Sequence, residues 1–289
     1  MSTQTQKLRQ LLSRDHCHIM PCCYDGLSAK MVEQAGFPFT FMSGFSVSAA
    51  RLGLPDTGLI SYGEMIDQGR NICGAVSIPV LGDGDTGYGN ALNVRRTVDG
   101  YIRAGFAAVM IEDQLSPKRC GHTRGKLVVS RAEACERIKA AVDAREEGQQ
   151  DILIIGRTDA RTNHGLDEAM ERVRAFSELG ADILFVEAPE SSGEMETICR
   201  EVDGVHMANI IHGGKTPALS PSELHSIGFK IAAYPLVLIS AVMQAMTTAL
   251  EDLQRGKSPQ GLMPFEDVRR IVGFDDYYDT EKRYQRSRR

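Results

Sequence analysis

No stretch of the 289-residue chain is apolar over the roughly 20 residues that a membrane-spanning helix requires. Met1 to Arg14 is polar and lacks the apolar core of a secretion signal, so the expected setting is cytoplasmic and membrane-free. Positive charge is not in excess. The chain carries 33 Lys and Arg against 38 Asp and Glu, a formal net charge of −5, and no basic face for nucleic acid follows from that balance. Acidic ligands must therefore be held by local groups rather than by a global field. Cysteine is present without a framework: there are seven, Cys22 and Cys23 are adjacent, and no second pair stands at zinc-ligand spacing. Reduced thiols, most of them acting as small buried hydrophobes, are the expectation. Pro- or Ser-rich linkers and low-complexity segments are also missing. One barrel domain over 1–289 is expected, with 237–289 as a helical extension and tail.

What the sequence does contain is a repeated alternation of short apolar runs and longer amphipathic stretches. The runs His18–Tyr24, Phe39–Ser43, Ile78–Gly82, Ala107–Glu112, Ile152–Arg157, Ile183–Glu187, His206–Ile210 and Lys230–Tyr234 read as strands. Between them, Leu27–Ala35, Ser61–Cys73, Val94–Ala104, Arg131–Glu146, Leu166–Leu179 and Pro221–Ile227 carry helical periodicity. Val237–Gly256 reads as a long helix, and Phe265–Arg289 as a polar, extended tail. Eight strands alternating with helices imply parallel pairing through right-handed crossovers. At this length a closed (β/α)8 TIM barrel is the preferred arrangement, with a doubly wound open sheet as the alternative. Polar residues gather where the strands end, at Ser43, Asp83, Asp85, Glu112, Arg157, Glu187 and Asn209. In a barrel those ends meet on one face.

Two constellations carry chemistry. Gly82-Asp83-Gly84-Asp85-Thr86-Gly87 sets alternating carboxylates among small residues, and Glu112 ends the following strand. Gathered in one pocket, such carboxylates repel unless a hard divalent cation neutralises them; a solvated Gly/Asp turn is the plainer reading. Lys118-Arg119-Cys120-Gly121-His122, followed by Gly125, places a thiol among cationic side chains. Cationic neighbours lower a thiol pKa and suit it to proton transfer, and the flanking glycines permit a mobile loop. A basic surface loop with an incidental cysteine explains the same residues. Arg157 at a strand end can grip a carboxylate bidentately.

These residues together resemble the isocitrate lyase/phosphoenolpyruvate mutase superfamily. The markers are Ser43-Gly44, Leu52-Gly53-Leu54-Pro55-Asp56, the Asp83/Asp85 stretch, Glu112-Asp113-Gln114, the Cys120 loop, Arg157-Thr158-Asp159-Ala160 and Ala208-Asn209, spread from about Leu8 to Gly256. The cysteine is similar to that of the lyase branch. The resemblance implies Mg2+, replaceable by Mn2+, contacted by Asp85, with Asp83 and Glu112 acting through water and Asp56 nearby. It implies that Ser43, Gly44 and Phe45 bind the substrate's 2-oxo or 2-hydroxy carboxylate. Glu187, Asn209, Gly121 and His122 would hold the distal carboxylate. Arg157 would steady developing charge, and Cys120 would be the acid or base, with Lys118 and His122 beside it. The implied activity is cleavage of a 2-hydroxy dicarboxylate, an alkylmalate such as 2,3-dimethylmalate or 2-methylisocitrate, to pyruvate and a carboxylate. The implied assembly is a homotetramer, a dimer of dimers whose final helix is swapped between subunits. Phe41 and Phe45 depart from the methylisocitrate-cleaving pattern. Pro235 stands where oxaloacetate hydrolases carry a serine, which argues against oxalate production. A phosphonate-processing enzyme of the mutase type is the other alternative, disfavoured by Cys120.

Overall fold

In the computed structural model, which describes residues 3–121 and 125–285, eight parallel strands close into a barrel in sequence order. After α1 (Gln4–Leu12) come β1 (His18–Cys23), α2 (Gly26–Gln34), β2 (Thr40–Met42) and α3 (Gly44–Val47), which runs into a π-helical turn at Ser48–Leu52. The repeat continues through α4 (Tyr62–Ala75), β3 (Val80–Asp83), α5 (Ala91–Ala104), β4 (Ala108–Glu112), α6 (Arg131–Glu147) and β5 (Leu153–Thr158). Then follow α7 (Arg161–His164), α8 (Leu166–Glu178), β6 (Ile183–Val186), α9 (Ser192–Glu201), β7 (Val205–Asn209), α10 (Pro221–Ile227) and β8 (Phe229–Tyr234). The chain ends in α11 (Val237–Gln254), α12 (Phe265–Val272) and α13 (Phe274–Gln285). β8 closes on β1 with Met20 opposite Ala233.

The barrel follows from strand parity. Side chains of a strand alternate between faces, so one set points into the barrel and the other toward the helices. Met20, Cys22, Phe41, Leu81, Met110, Ile155, Phe185, Met207 and Ala233 form the interior cluster. Val80, Val109, Ile111, Ile154, Leu184 and Val186 pack outward against Val94 and Tyr101 of α5, Ile138 of α6 and Phe176 of α8. The helices begin at short polar caps, as at Ser61, whose side chain accepts Glu64 N–H while Glu64 returns the bond. α1 was not anticipated, because its apolar content is low. Leu8 and Leu12 nevertheless join the interior cluster, and Thr5 and Arg9 tie it to Asp151 ahead of β5. It therefore caps the end of the barrel where strands start.

Two further expectations are corrected. The strand over Phe39–Ser43 is shorter, because Ser43 turns to cap α3, its hydroxyl accepting Ser46 N–H at 3.3 Å. The tail after Phe265 is not extended: α12 and α13 occupy it. Phe265, Val268 and Val272 recur at helical spacing, and Glu266 and Asp267 in the first turn, with Arg269 and Arg270 in the last, complement the helix dipole. Met1–Ile239 forms one compact unit and Ser240–Arg289 a second. No described helix is long and apolar enough to cross a membrane.

Candidate active site

The same parity that builds the interior also builds the site. On six strands the inward position two residues beyond the last apolar side chain is polar: Phe41 is followed by Ser43, Leu81 by Asp83, Met110 by Glu112, Ile155 by Arg157, Phe185 by Glu187 and Met207 by Asn209. One cavity at the ends of the strands has an apolar floor of Cys22, Phe41, Met110, Phe185, Met207 and Ala233. Ser43, Phe45, Asp56, Asp83, Lys118, Cys120, Gly121, Arg157, Asn209 and Pro235 also line it. Gly44, Asp85, Glu112 and Glu187 lie against these residues. His122 lies outside the described residues.

Asp83, Asp85, Asp56 and Glu112 are all buried, an arrangement that needs positive charge. Lys118 supplies some of it: Nζ lies 2.6 Å from Asp56 Oδ1 and 2.8 Å from Asp85 Oδ1. Burial alone would lower the lysine pKa, but Asp85, Asp83, Asp56 and Glu112 hold it well above the usual value. The ammonium is therefore spent on the acidic group. One ammonium does not neutralise the cluster. Burial, with Asp83 and Asp56 beside it, raises Asp85 to about 7 against the pull of Lys118. Burial likewise raises Glu112, and its Oε1 is buried without a hydrogen-bond partner.

The chain holds Asp85 in place by local means. It has φ 48°, in the left-handed region that Asp tolerates better than most residues, and its N–H donates to Asp83 Oδ1 at 3.0 Å. Gly44 N–H donates to Asp83 Oδ2 at 3.2 Å, and a Cβ on Gly44 would come within 2.5 Å of that oxygen. Among the described residues no three of His, Cys, Asp and Glu stand at metal-ligand spacing. The donor set fits a hard cation all the same, being all carboxylate, under-neutralised and partly unbonded.

Arg157 anchors the opposite wall. Its Nε and Nη2 grip Asp159 at 2.8 and 3.1 Å, Nη1 lies 3.3 Å from Glu112 Oε2, and Nη2 lies 3.3 Å from Glu187 Oε2. Lys126 Nζ joins Asp159 at 2.7 Å, fully buried. Burial would raise Asp159, but Arg157 and Lys126 hold it well below the usual range. The guanidinium also stacks over Phe185, 5.3 Å from the ring centre. Asn209 Nδ2 reaches Glu187 Oε2 at 3.3 Å, while its Oδ1 is buried and unbonded. The Cys120 segment approaches this wall closely: a Cβ on Gly121 would lie 2.6 Å from Arg157 Nη2 and from Glu187 Cγ. A side chain there would displace the loop, so packing requires the glycine.

Sequence reasoning left Asp113, Gln114 and Arg137 without roles. Asp113 is buried and joins Thr158 Oγ1, Asp159 N–H at 2.9 Å and Arg172 Nη1 at 3.0 Å, so it ties β4 and β5 to α8. Arg137 of α6 donates to the carbonyls of Glu112 and Gln114. The signal available was a run of three polar residues directly after an apolar strand.

A barrel with acidic groups, an arginine and a thiol at its strand ends defines a class of carboxylate-handling (β/α)8 enzymes. The comparisons make this specific. Residues 8–254 match the model of the phosphoenolpyruvate phosphomutase family, and the chain belongs to the phosphoenolpyruvate mutase/isocitrate lyase superfamily. It is 40% identical to 2,3-dimethylmalate lyase of Eubacterium barkeri over 98% of each chain. It superimposes on a structure of oxaloacetate acetylhydrolase with the inhibitor 3,3-difluorooxalacetate, with TM-score 0.94 and 33% identity, covering 98% of this chain and 97% of that one. A phosphonopyruvate hydrolase complexed with oxalate and Mg2+ gives TM-score 0.86 at 27% identity, covering 98% and 100%.

Proposed function

We propose that this carbon–carbon lyase cleaves an alkylmalate of the 2,3-dimethylmalate type to pyruvate and a carboxylate, with Cys120 as proton donor. The observation that carries the reading is one cavity that joins under-neutralised carboxylates, Arg157 and Cys120 over an apolar floor. The relation to a 2,3-dimethylmalate lyase supports it. Asp85, with Asp83 and Glu112 around it and Asp56 nearby, would hold Mg2+, which when bound supplies Lewis acidity and neutralises the acidic group. Ser43, Gly44 and Phe45 bind the carboxylate at the hydroxyl-bearing carbon. Gly121, Glu187 and Asn209 hold the distal one, with Arg157 steadying the charge between them.

Loss of the hydroxyl proton to a base turns that carbon into a carbonyl and breaks its bond to the neighbouring carbon. The electron pair stays on the departing carbon, and Cys120 Sγ protonates it. Phe41, Phe45, Met110, Phe185 and Met207 suit alkyl substituents. Pro235 lines the cavity with no hydroxyl, its carbonyl accepting Ser46 Oγ at 3.0 Å. Oxaloacetate hydrolysis is accordingly disfavoured.

The test is a cleavage screen of malate, 2,3-dimethylmalate, citramalate, isocitrate, 2-methylisocitrate and oxaloacetate with Mg2+, repeated in excess chelator. Expected are pyruvate from an alkylmalate, kcat/KM at least about tenfold above that for oxaloacetate, and loss of turnover on chelation that Mg2+ or Mn2+ restores. Oxalate as the main product, phosphonopyruvate turnover without malate cleavage, or full activity in chelator would overturn the reading.

A further inference from the structure

Beyond β4 the chain leaves the barrel at Gln114 and returns at Val128. These two positions bridge antiparallel, and Leu115 N–H donates to Leu127 O at 2.8 Å. Inside this loop the Gln114 side chain makes a second closure. Its Oε1 accepts Arg119 N–H at 2.9 Å, and its Nε2 donates to Arg119 O at 2.8 Å. The primary carboxamide thus stands in for a neighbouring strand, meeting both backbone groups of the residue before Cys120. The orientation of the amide is dictated by its partners, since an N–H needs an acceptor and a carbonyl needs a donor. Gln114 is fully buried, and its own carbonyl accepts Arg137 Nη1 at 2.8 Å. A continuous chain of bonds therefore runs from α6 through Arg137 and Gln114 to the backbone at Arg119.

Two neighbouring restraints act differently, one through a flexible stem and one through packing. Lys118 is held by its ammonium, at the end of four methylenes, on Asp56 and Asp85. Gly121 is held by its close approach to Arg157 and Glu187. The Gln114 carboxamide instead acts directly on the peptide groups of Arg119. A shorter amide would not span the gap, and a carboxylate would set an oxygen against Arg119 O.

We propose that Gln114 is a positioning residue for Cys120, its carboxamide setting the backbone from which the thiol meets the reacting carbon. The inference rests on the reading of Cys120 as proton donor. Gln114 acts through Arg119, to whose backbone its carboxamide is bonded.

The experiment is a double-mutant cycle: Gln114→Glu and Gln114→Met, each in the wild-type and the Cys120→Ser background, with thermal melts to establish folding. Gln114→Glu keeps the size and the bond to Arg119 N–H, so a folded variant is available even where Gln114→Met proves too disruptive. With the thiol present, both variants are expected to lower kcat at least about tenfold, the order of loss that small misplacement of a catalytic group produces. KM should move by less than about threefold, because Gly121, the proposed binding residue on this segment, is placed by its own packing on Arg157 and Glu187. With Cys120→Ser, the same changes should lower kcat by less than about twofold, since there is no thiol left to misplace. Equal losses in both backgrounds, or normal kcat in Gln114→Glu and Gln114→Met, overturn the proposal. Should Cys120→Ser alone turn over normally, the proton-donor reading fails first and the positioning role falls with it.

Discussion

Seven cysteines share this chain, and burial raises six of them. It pushes Cys17 up to about 11 and Cys23, Cys73 and Cys199 up to about 12, and it raises Cys22 and Cys135 as well. Those six stay protonated at neutral pH and react slowly with electrophiles. Cys120 lines the cavity and is half-buried. A single equivalent of a small alkylating reagent is expected to label Cys120 first, read by peptide mass mapping. Cys120→Ser should lower kcat about 10²-fold or more, the worth of a positioned proton donor, while leaving the melting temperature nearly unchanged. Normal turnover by the serine variant, with another cysteine labelled first, would remove the thiol from the mechanism. At this scale the sequence was legible where chemistry is carried by residue type: Asp83, Asp85, Glu112, Arg157 and Cys120 stand out by position. Gln114 and Arg137 do not, because their work is done by pairing with backbone groups distant along the chain.

Among the elements, α6 and α8 are joined at their N-terminal ends by charge. Glu168 accepts from Arg131, and from Arg172 Nε at 2.8 Å. The hydrogen bond from Arg131 and, after the opposing effect of partial burial, that from Arg172 lower Glu168 from 4.5 to about 2. A carboxyl group whose folded pKa is depressed adds stability that is full above its unfolded value and fades as pH falls through the folded value. The relevant window is therefore 4.5 down to about 2. Glu168→Gln should cost about 1 kcal/mol at neutral pH, the upper end for an ion pair still partly open to solvent. The gap between the two melting curves should close as pH falls through that window. A gap that does not change with pH would mean that packing, not charge, is lost in the variant. The elements themselves were legible from periodicity wherever an apolar face is long enough. Among the helices missed, α1 buries little beyond Leu8 and Leu12, and α9 buries only Met195 and Ile198.

For the whole molecule, the question left by a single chain is what covers α11. Val242, Met243, Met246, Leu250 and Leu253 recur along one stripe of the helix and are exposed, and Ile239 is its one buried residue. An apolar stripe of this kind is unfavourable in water by about 25 cal/mol per Å² and marks an interface. The resemblance implies a homotetramer, for which light scattering should give about four times the 31.7 kDa chain mass. Met246→Glu with Leu250→Glu should reduce that mass, because an interface core does not accept unpaired carboxylates. A monomeric wild-type protein would rule the assembly out.

The residues of this chain determined by themselves that six of the eight apolar runs end in polar groups, and period-2 alternation requires those groups to stand one layer above the interior cluster. That much is local, because a strand's two faces are set by its own backbone. The tertiary structure alone decided which charges meet. It placed Lys118 on Asp56 and Asp85, Lys126 on Asp159, and the Gln114 carboxamide on Arg119. These pairings depend on barrel closure and on the path of one loop. A buried charge takes whichever partner that path brings within about 3 Å, a choice no pattern along the chain encodes.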